Sequence, residues 1–284
     1  MVEITPFKGI TYNKEKIDNL NHVMSPPYDI ISEKMQDELY KNHLYNFVQL
    51  ILGKQYLTDN EQNNRYTRAK QLFETWQQKQ ILIKSKKQAI YPYRIEYELQ
   101  GQKITMNGFF VLLKLDPEYK MVKAHEKTLS KPKADRLNLM RACKANLEPI
   151  QLLYIDKEDS INKTINQSIN KPIFSVKGYD GFIHTLSIIE DSLIIKKIEK
   201  LLKDNVLFIA DGHHRYQTAC NFAQELQQTY GNNADAPYNY LMIILVNIYD
   251  EGLAILPTHR LLKIPTLNLG GLLKKLETYF TIEQ

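Results

Sequence analysis

"LFIADGHHRYQTA", residues 207–219, is the stretch on which the reading of this chain turns. The apolar run Val206 to Ala210 predicts a strand. Behind it Tyr216, Ala219, Cys220, Ala223 and Leu226 recur at spacings of three and four, predicting a helix that ends at Gly231. Asp211 to His214 then occupy a strand-to-helix turn, where free backbone N–H groups and the positive end of the helix dipole converge on an anion. Gly212 lets the backbone approach a ligand closely. His213, His214 and Arg215 add donors, and arginine can grip a phosphate through two parallel hydrogen bonds. Asp211 does not suit an anion directly; it suits a bridging Mg²⁺ or a base. A plain N-cap at Asp211 accounts for one residue of the five. Zinc is not expected, since neither HExxH nor a cysteine pair accompanies the histidines.

Outward from this turn the order is strand and helix in alternation, which predicts an α/β (α+β) arrangement. "FIHTLSII" reads as a strand, "DSLIIKKIEKLLKDN" as an amphipathic helix, and "YLMIILVNI" and "LAILP" as strands. Towards the N-terminus, "AIYPYRIEYEL" and "KITMNGFFVLLKL" form a hairpin pair around Gln100-Gly101. Helices are expected after Ser32 and from Asn64 to Gln78, and "YNFVQLILG" reads as strand-like. The Asn/Lys-rich residues 156–171 predict a surface helix or insertion in a single domain, 1–284. "LLKKLETYFTIEQ" closes the chain as a helix and the start of a strand.

The bulk properties narrow the classes. The chain has 284 residues, 24% of them charged, and a net charge of +5, too mild by itself to imply nucleic acid. No apolar run approaches the roughly 20 residues that cross a bilayer. The first residues do not form a secretory signal, and Cys143 and Cys220 give no disulfide framework, so a cytoplasmic protein is expected. There is no GxxxxGK[ST], GxGxxG or GxSxG.

Charge is concentrated in "HEKTLSKPKADRLNLMRACKANLEP", residues 125–149. A helix begins near Ser130, with Pro132 in its first turn. Its start presents His125, Glu126, Lys127, Thr128 and Lys131, with Arg136 one turn on. The cations suit a phosphate, and Glu126 among them stays ionised as a base or metal ligand. A solvated basic helix face is the alternative. Asp29, in the stiffened "PPYD", can assist a metal or a substrate amine or simply precede a helix; Thr258, His259 and Arg260 in "LPTHR" can complete a polar pocket or form a turn.

Taken in order, "PFKGITYN", "SPPYDIIS", "NRYTRA", "HEKTLSKPKADRL", "ANLEPI", "IADGHHRYQTA" and "ILPTHRL" resemble a prokaryotic family defined as a domain of unknown function. That family is related to free-serine kinases built on the ParB/sulfiredoxin-like fold, some of which use pyrophosphate as phosphoryl donor. "GHHRY" is similar to the phosphate-holding turns of sulfiredoxins and ParB proteins. The resemblance, from Pro6 to about Leu262, implies a ParB/sulfiredoxin-like core with a mixed sheet, elaborating helices and a hairpin. It also implies a Mg²⁺-dependent kinase that moves a phosphoryl group from pyrophosphate or a nucleotide to L-serine. Gly212, His213, His214 and Arg215 would hold the donor phosphates and Asp211 the Mg²⁺. Lys127, Lys131 and Arg136 would neutralise the transferring group. Glu126 comes first as base, with Asp29 and Asp211 still open; Tyr28, His125, Thr128, His259 and Arg260 would contact substrate. The family's length implies further elements beyond Gln284. A ParB-like nucleotide switch or DNA-binding adaptor is the rival reading; no basic recognition helix supports it. Small molecules are the expected partners, without membrane, and a homo-oligomer stays open.

Overall fold

The structure, a computed structural model, describes residues 1–126, 130–169, 172–255, 263 and 266–282, with the backbone alone at 130–132. The chain divides into two compact units, Met1–Leu253 and Ala254–Gln284. The second contains helix Leu269–Leu276, capped by Asn268.

The first unit is built on a mixed sheet. Its strands are β1 (Ile4–Thr5), β4 (Tyr91–Leu99), β5 (Gln102–Lys114), β6 (Val122–Lys123), β7 (Ile150–Tyr154), β8 (Pro172–Lys177), β9 (Ile183–Ser187), β10 (Leu207–Asp211) and β11 (Tyr240–Asn247). Eight of them run β6-β10-β7-β11-β5-β4-β9-β8, and β1 pairs with β5. Only the β10–β6 and β11–β7 pairings are parallel among the described residues. Strands β2 (Ile10–Tyr12) and β3 (Leu82–Lys84) form a separate antiparallel ribbon. The predicted β4–β5 hairpin is present. Gln100 and Gly101 both take positive φ, 52° and 78°, which matches the twist of the flanking strands.

Helices α1 (Glu33–Asn42), α2 (Val48–Ile51), α3 (Arg65–Gln78), α4 (Ser130–Cys143), α5 (Ser160–Ser168), α6 (Ser192–Leu202) and α7 (His213–Tyr230) complete the unit. Their starts follow local chemistry: Ser32 caps α1, Asn64 forms a capping box with Thr67 on α3, and Asp191 caps α6. The expected strand in "YNFVQLILG" is instead α2, with Val48, Leu50 and Ile51 buried; a short apolar run carries no period to separate the two. Within the stretch 156–171 a helix does form, α5, but it buries Ile161 and Ile165 in the main core. Strand β8 was not anticipated. Of "LAILP", residues 253–255 are described and form no strand.

The two faces of the sheet are used differently. One carries Val111, Leu152, Ile209, Ile243 and Leu245 into the main core with Ile195 and Ile198 of α6. The other is the floor of a cleft. Across it the register lines up Asp211, Gln151, Ile244, Phe110 and Tyr91, then Tyr93 beside Leu186 and Ile95 beside His184. Trp76 of α3 organises a smaller core with Ile17, Val23, Leu50 and Leu82. From that core the segment 20–31, stiffened by Pro26-Pro27, lies over the floor as a strap. Asn46, fully buried, pins it by donating to the carbonyls of His22 and Met24 at 2.8 and 3.0 Å. At one end Lys177 N–H donates to Asn21 Oδ1.

Asn46→Ala leaves these part-buried carbonyls without their donor. We expect it to cost about 1–3 kcal/mol in denaturant unfolding and to speed amide exchange selectively across residues 20–31.

Candidate active site

Strict alternation along Leu207–Asp211 would send Leu207, Ile209 and Asp211 all into the core. A one-residue bulge prevents this: Ile209 pairs with Leu152, the register shifts, and Asp211 pairs with Gln151 on the cleft side. Gly212 then takes φ 94°, and a Cβ there would stand 2.5 Å from Ile150 Cγ2. Only glycine fits that turn. The 18-residue helix α7 starts immediately after it, with no side-chain cap at Gly212. Asp211 is therefore the last residue of the strand and not a cap, and its side chain is 63% exposed.

Arg215, one turn into α7, donates to Asp211 Oδ2 and to the carbonyl of Pro149. Next to it lies a buried ionic network. Arg136 Nη1 donates to Glu148 Oε2 at 2.5 Å, and its Nε and Nη2 donate to Asp135 Oδ2 at 3.0 and 2.6 Å. Asp135 also accepts from Arg65 and, at 2.7 Å, from Tyr66 Oη. The Tyr28 ring covers the Arg136 guanidinium at 3.8 Å. Three arginines (Arg65, Arg136, Arg215) thus face three carboxylates (Asp135, Glu148, Asp211). The described side chains here balance their charge rather than accumulate positive charge. Burial pushes Glu148 above the usual carboxylate range, against the pull of Arg136 and Arg215.

Asp211, Arg215 and Glu148 open on a chamber of about 500 Å³ between the strap and the sheet. It adjoins a more apolar chamber of about 510 Å³ and shares Met24, Ser25, Phe47, Phe110 and Leu147 with it. At the far rim His184 lies between Asp180 and Tyr93, Nε2 3.0 Å from Asp180 Oδ1 and Nδ1 2.5 Å from Tyr93 Oη. Asp180 can only accept, so the proton sits on Nε2 and Tyr93 donates to Nδ1.

The segment 125–126 meets the same turn from its other side. His125 N–H donates to His213 Nε2 at 3.3 Å, the two rings are 4.4 Å apart, and Glu126 Oε2 is 3.5 Å from His213 Nδ1. These are residue types for a transition metal, with ligand atoms within 4.8 Å of one another. However, the His213 lone pair on Nε2 already accepts an N–H, which places the ring proton on Nδ1 facing Glu126. Burial and the neighbouring His125 push the His213 imidazole below its ordinary range, against the pull of Glu126 and Asp211. Both sides of the turn are accessible: Glu126 and His213 line a separate recess with Lys123 and Tyr119.

Of the residues singled out from sequence, Tyr28, Arg136, Asp211, Gly212 and Arg215 gather on the cleft side, and His125, Glu126 and His213 behind the turn. His214 lies on the first turn of α7, and Asp29 is exposed on the strap. Lys127, Thr128, His259 and Arg260 lie outside the described residues, as does the side chain of Lys131. Ser25, Arg65, Tyr66, Asp135 and Glu148 were not assigned a role from sequence, although each falls within a stretch quoted for the resemblance. The Tyr93–His184–Asp180 chain had no sequence signal beyond its residue types.

The chain belongs to the DUF1015 family: the family's model, described as "Protein of unknown function (DUF1015)", matches residues 4–284. No curated protein and no solved structure matches the chain.

The raised Glu148 predicts a pH signature. A carboxyl that holds its proton more tightly when folded contributes stability below its unfolded pKa and loses it as pH rises through the folded one. Glu148→Gln and wild type should therefore melt alike near pH 4.5, and the variant should gain a growing advantage towards pH 8. Parallel melting curves across that range would contradict the buried-acid assignment.

Proposed function

We propose that the chain is a small-molecule kinase that moves a phosphoryl group from pyrophosphate or a nucleotide to the hydroxyl of free L-serine with Mg²⁺, giving O-phosphoserine. The observation that carries this reading is the β10–α7 turn. A helix N-terminus, a glycine that tolerates no side chain, a cleft-facing carboxylate and an arginine converge at one end of the chamber between the strap and the sheet. Linked phosphoryl groups are met there by backbone N–H groups and by the Arg215 guanidinium. Asp211 is an accessible oxygen donor of the kind Mg²⁺ prefers, and Mg²⁺ so held would bridge and neutralise donor phosphates. Arg136 has two of its five N–H donors uncommitted to the hydrogen bonds above, although its charge is already matched by two carboxylates. Glu126, with His213, offers a carboxylate at the rear of the turn. The remaining contribution is positioning in the chamber beneath the strap, which is the main requirement of phosphoryl transfer.

Incubation with L-serine, Mg²⁺ and pyrophosphate, ADP or ATP in turn, followed by ³¹P NMR, should show O-phosphoserine with at least one donor. Arg215→Ala should lower transfer about 10²- to 10³-fold, as loss of a charge-stabilising donor does. No product with any donor overturns the kinase reading and leaves a nucleotide-binding switch, visible as donor binding without turnover. Undiminished transfer by Arg215→Ala would displace the phosphate site from this turn.

A further inference from the structure

Two buried polar atoms in the cleft have no partner among the described residues, Glu148 Oε1 and Ser25 Oγ. Both residues line the chamber that Asp211 and Arg215 close at one end. Glu148 is held from behind: Oε2 is fixed by Arg136, the side chain is 10% exposed, and Arg136 is itself locked by Asp135 and covered by Tyr28. A buried carboxylate oxygen left without a donor costs about 1–3 kcal/mol or more, so a ligand that supplies one is favoured. On a hydroxyl acceptor that donor is the O–H group.

We infer, on the kinase reading above, that Glu148 is the catalytic base and that Ser25 Oγ is the second polar contact of the acceptor. Glu148 Oε1 accepts the acceptor's hydroxyl proton. The freed oxygen attacks the terminal phosphorus of the diphosphate donor, and the bridging P–O bond breaks. The leaving phosphate, or nucleotide shortened by one phosphate, keeps the electron pair and stays beside Arg215. Arg136 from α4, Arg215 from α7 and the Tyr28 N–H of the strap all favour the ionised form of Glu148, but none of them makes a hydrogen bond to Oε1. None of them donates a proton-binding site of comparable basicity. Glu126 lies in the separate recess behind the turn and Asp211 is engaged by Arg215, so neither matches an unpaired oxygen in this chamber. A 30 Å³ space lined by Arg136, Glu148, Arg215 and Thr218 has room for a water molecule. The experiment must therefore separate an acceptor site from a buried water.

Calorimetry with methylenediphosphonate present compares L-serine with L-alanine without needing turnover. Wild type should bind L-serine about 10- to 100-fold more tightly, the worth of a hydrogen bond to a charged group. Glu148→Gln should bring the two close to parity. In turnover, Glu148→Gln should lower kcat about 10²- to 10⁴-fold with the donor KM unchanged, whereas Ser25→Ala should raise the serine KM and spare kcat. A Glu148→Gln melting temperature near that of wild type at pH 4.5 excludes misfolding. If it is lower, Glu148→Asp, which keeps the carboxyl but withdraws it, should show the same kcat loss. Serine bound well without any phosphoserine formed sinks the kinase reading and leaves the Glu148 contact intact. Equal binding of serine and alanine, or unchanged discrimination in Glu148→Gln, means a carboxylate satisfied by water and overturns the assignment; no serine binding at all overturns both.

Discussion

One extra residue in β10 determines where everything else in the site must be. Without the bulge between Ile209 and Asp211, the pleat would bury the carboxylate opposite Ile150 in the main core. An unpaired buried charge there would cost several kcal/mol. With the bulge, Ile209 keeps its core position and Asp211 crosses to the opposite face. The chain must then turn into α7 within a single residue. Gly212 alone can do this, since the turn needs positive φ and Ile150 fills the space a Cβ would take. The strand, the bulge and the glycine together aim the start of a long helix at the end of the cleft.

The ionic network next to that turn is better understood as a positioning device than as a source of stability. Burying an arginine and two carboxylates incurs a desolvation penalty that their attraction does no more than roughly repay. Arg136 nonetheless ties four separate parts of the chain together: α4 through Asp135, the loop before β7 through Glu148, the strap through Tyr28, and α3 indirectly through Arg65 and Tyr66. These parts are far apart in sequence, and no apolar contact would fix them with comparable directional precision. Balanced charge has a second consequence. On the proposed reading, an anion at this turn would meet hydrogen-bond donors and the α7 dipole rather than an excess of charge among the described side chains.

Much of this was legible in the sequence where local rules govern. The capping residues Ser32, Asn64 and Asp191, the Gln100-Gly101 turn and the periodicity of α6 and α7 gave elements that the structure contains. The anion-seeking character of Asp211–Arg215 was likewise visible from residue type and position. Other features were not legible, because they depend on tertiary placement. The bulge at Ala210 leaves no compositional trace, and period-two reading would have put Asp211 in the core. Glu148 had no reading of its own in the sequence, since its burial is imposed by the strap and by Arg136. Val48–Ile51 read as strand because so short a run, with three apolar residues, fits either period, and packing of Leu50 with Trp76 and Val23 goes with the helix.

The strap connects these observations. It is anchored to β8 through Asn21, to the small core through Asn46, and to the ionic network through Tyr28. The first two anchors are ordinary hydrogen bonds between groups that no phosphate ligand would touch. The third is different, because the Tyr28 ring rests on a guanidinium whose field depends on Glu148 and Arg215. Protonating Glu148 leaves Arg136 with one fewer countercharge, and its contact with the electron-rich ring face then gains weight. Drawing Arg215 towards an anion weakens its hold on Asp211 and shifts the same balance. Roof and floor therefore share one set of charges, joined at Arg136.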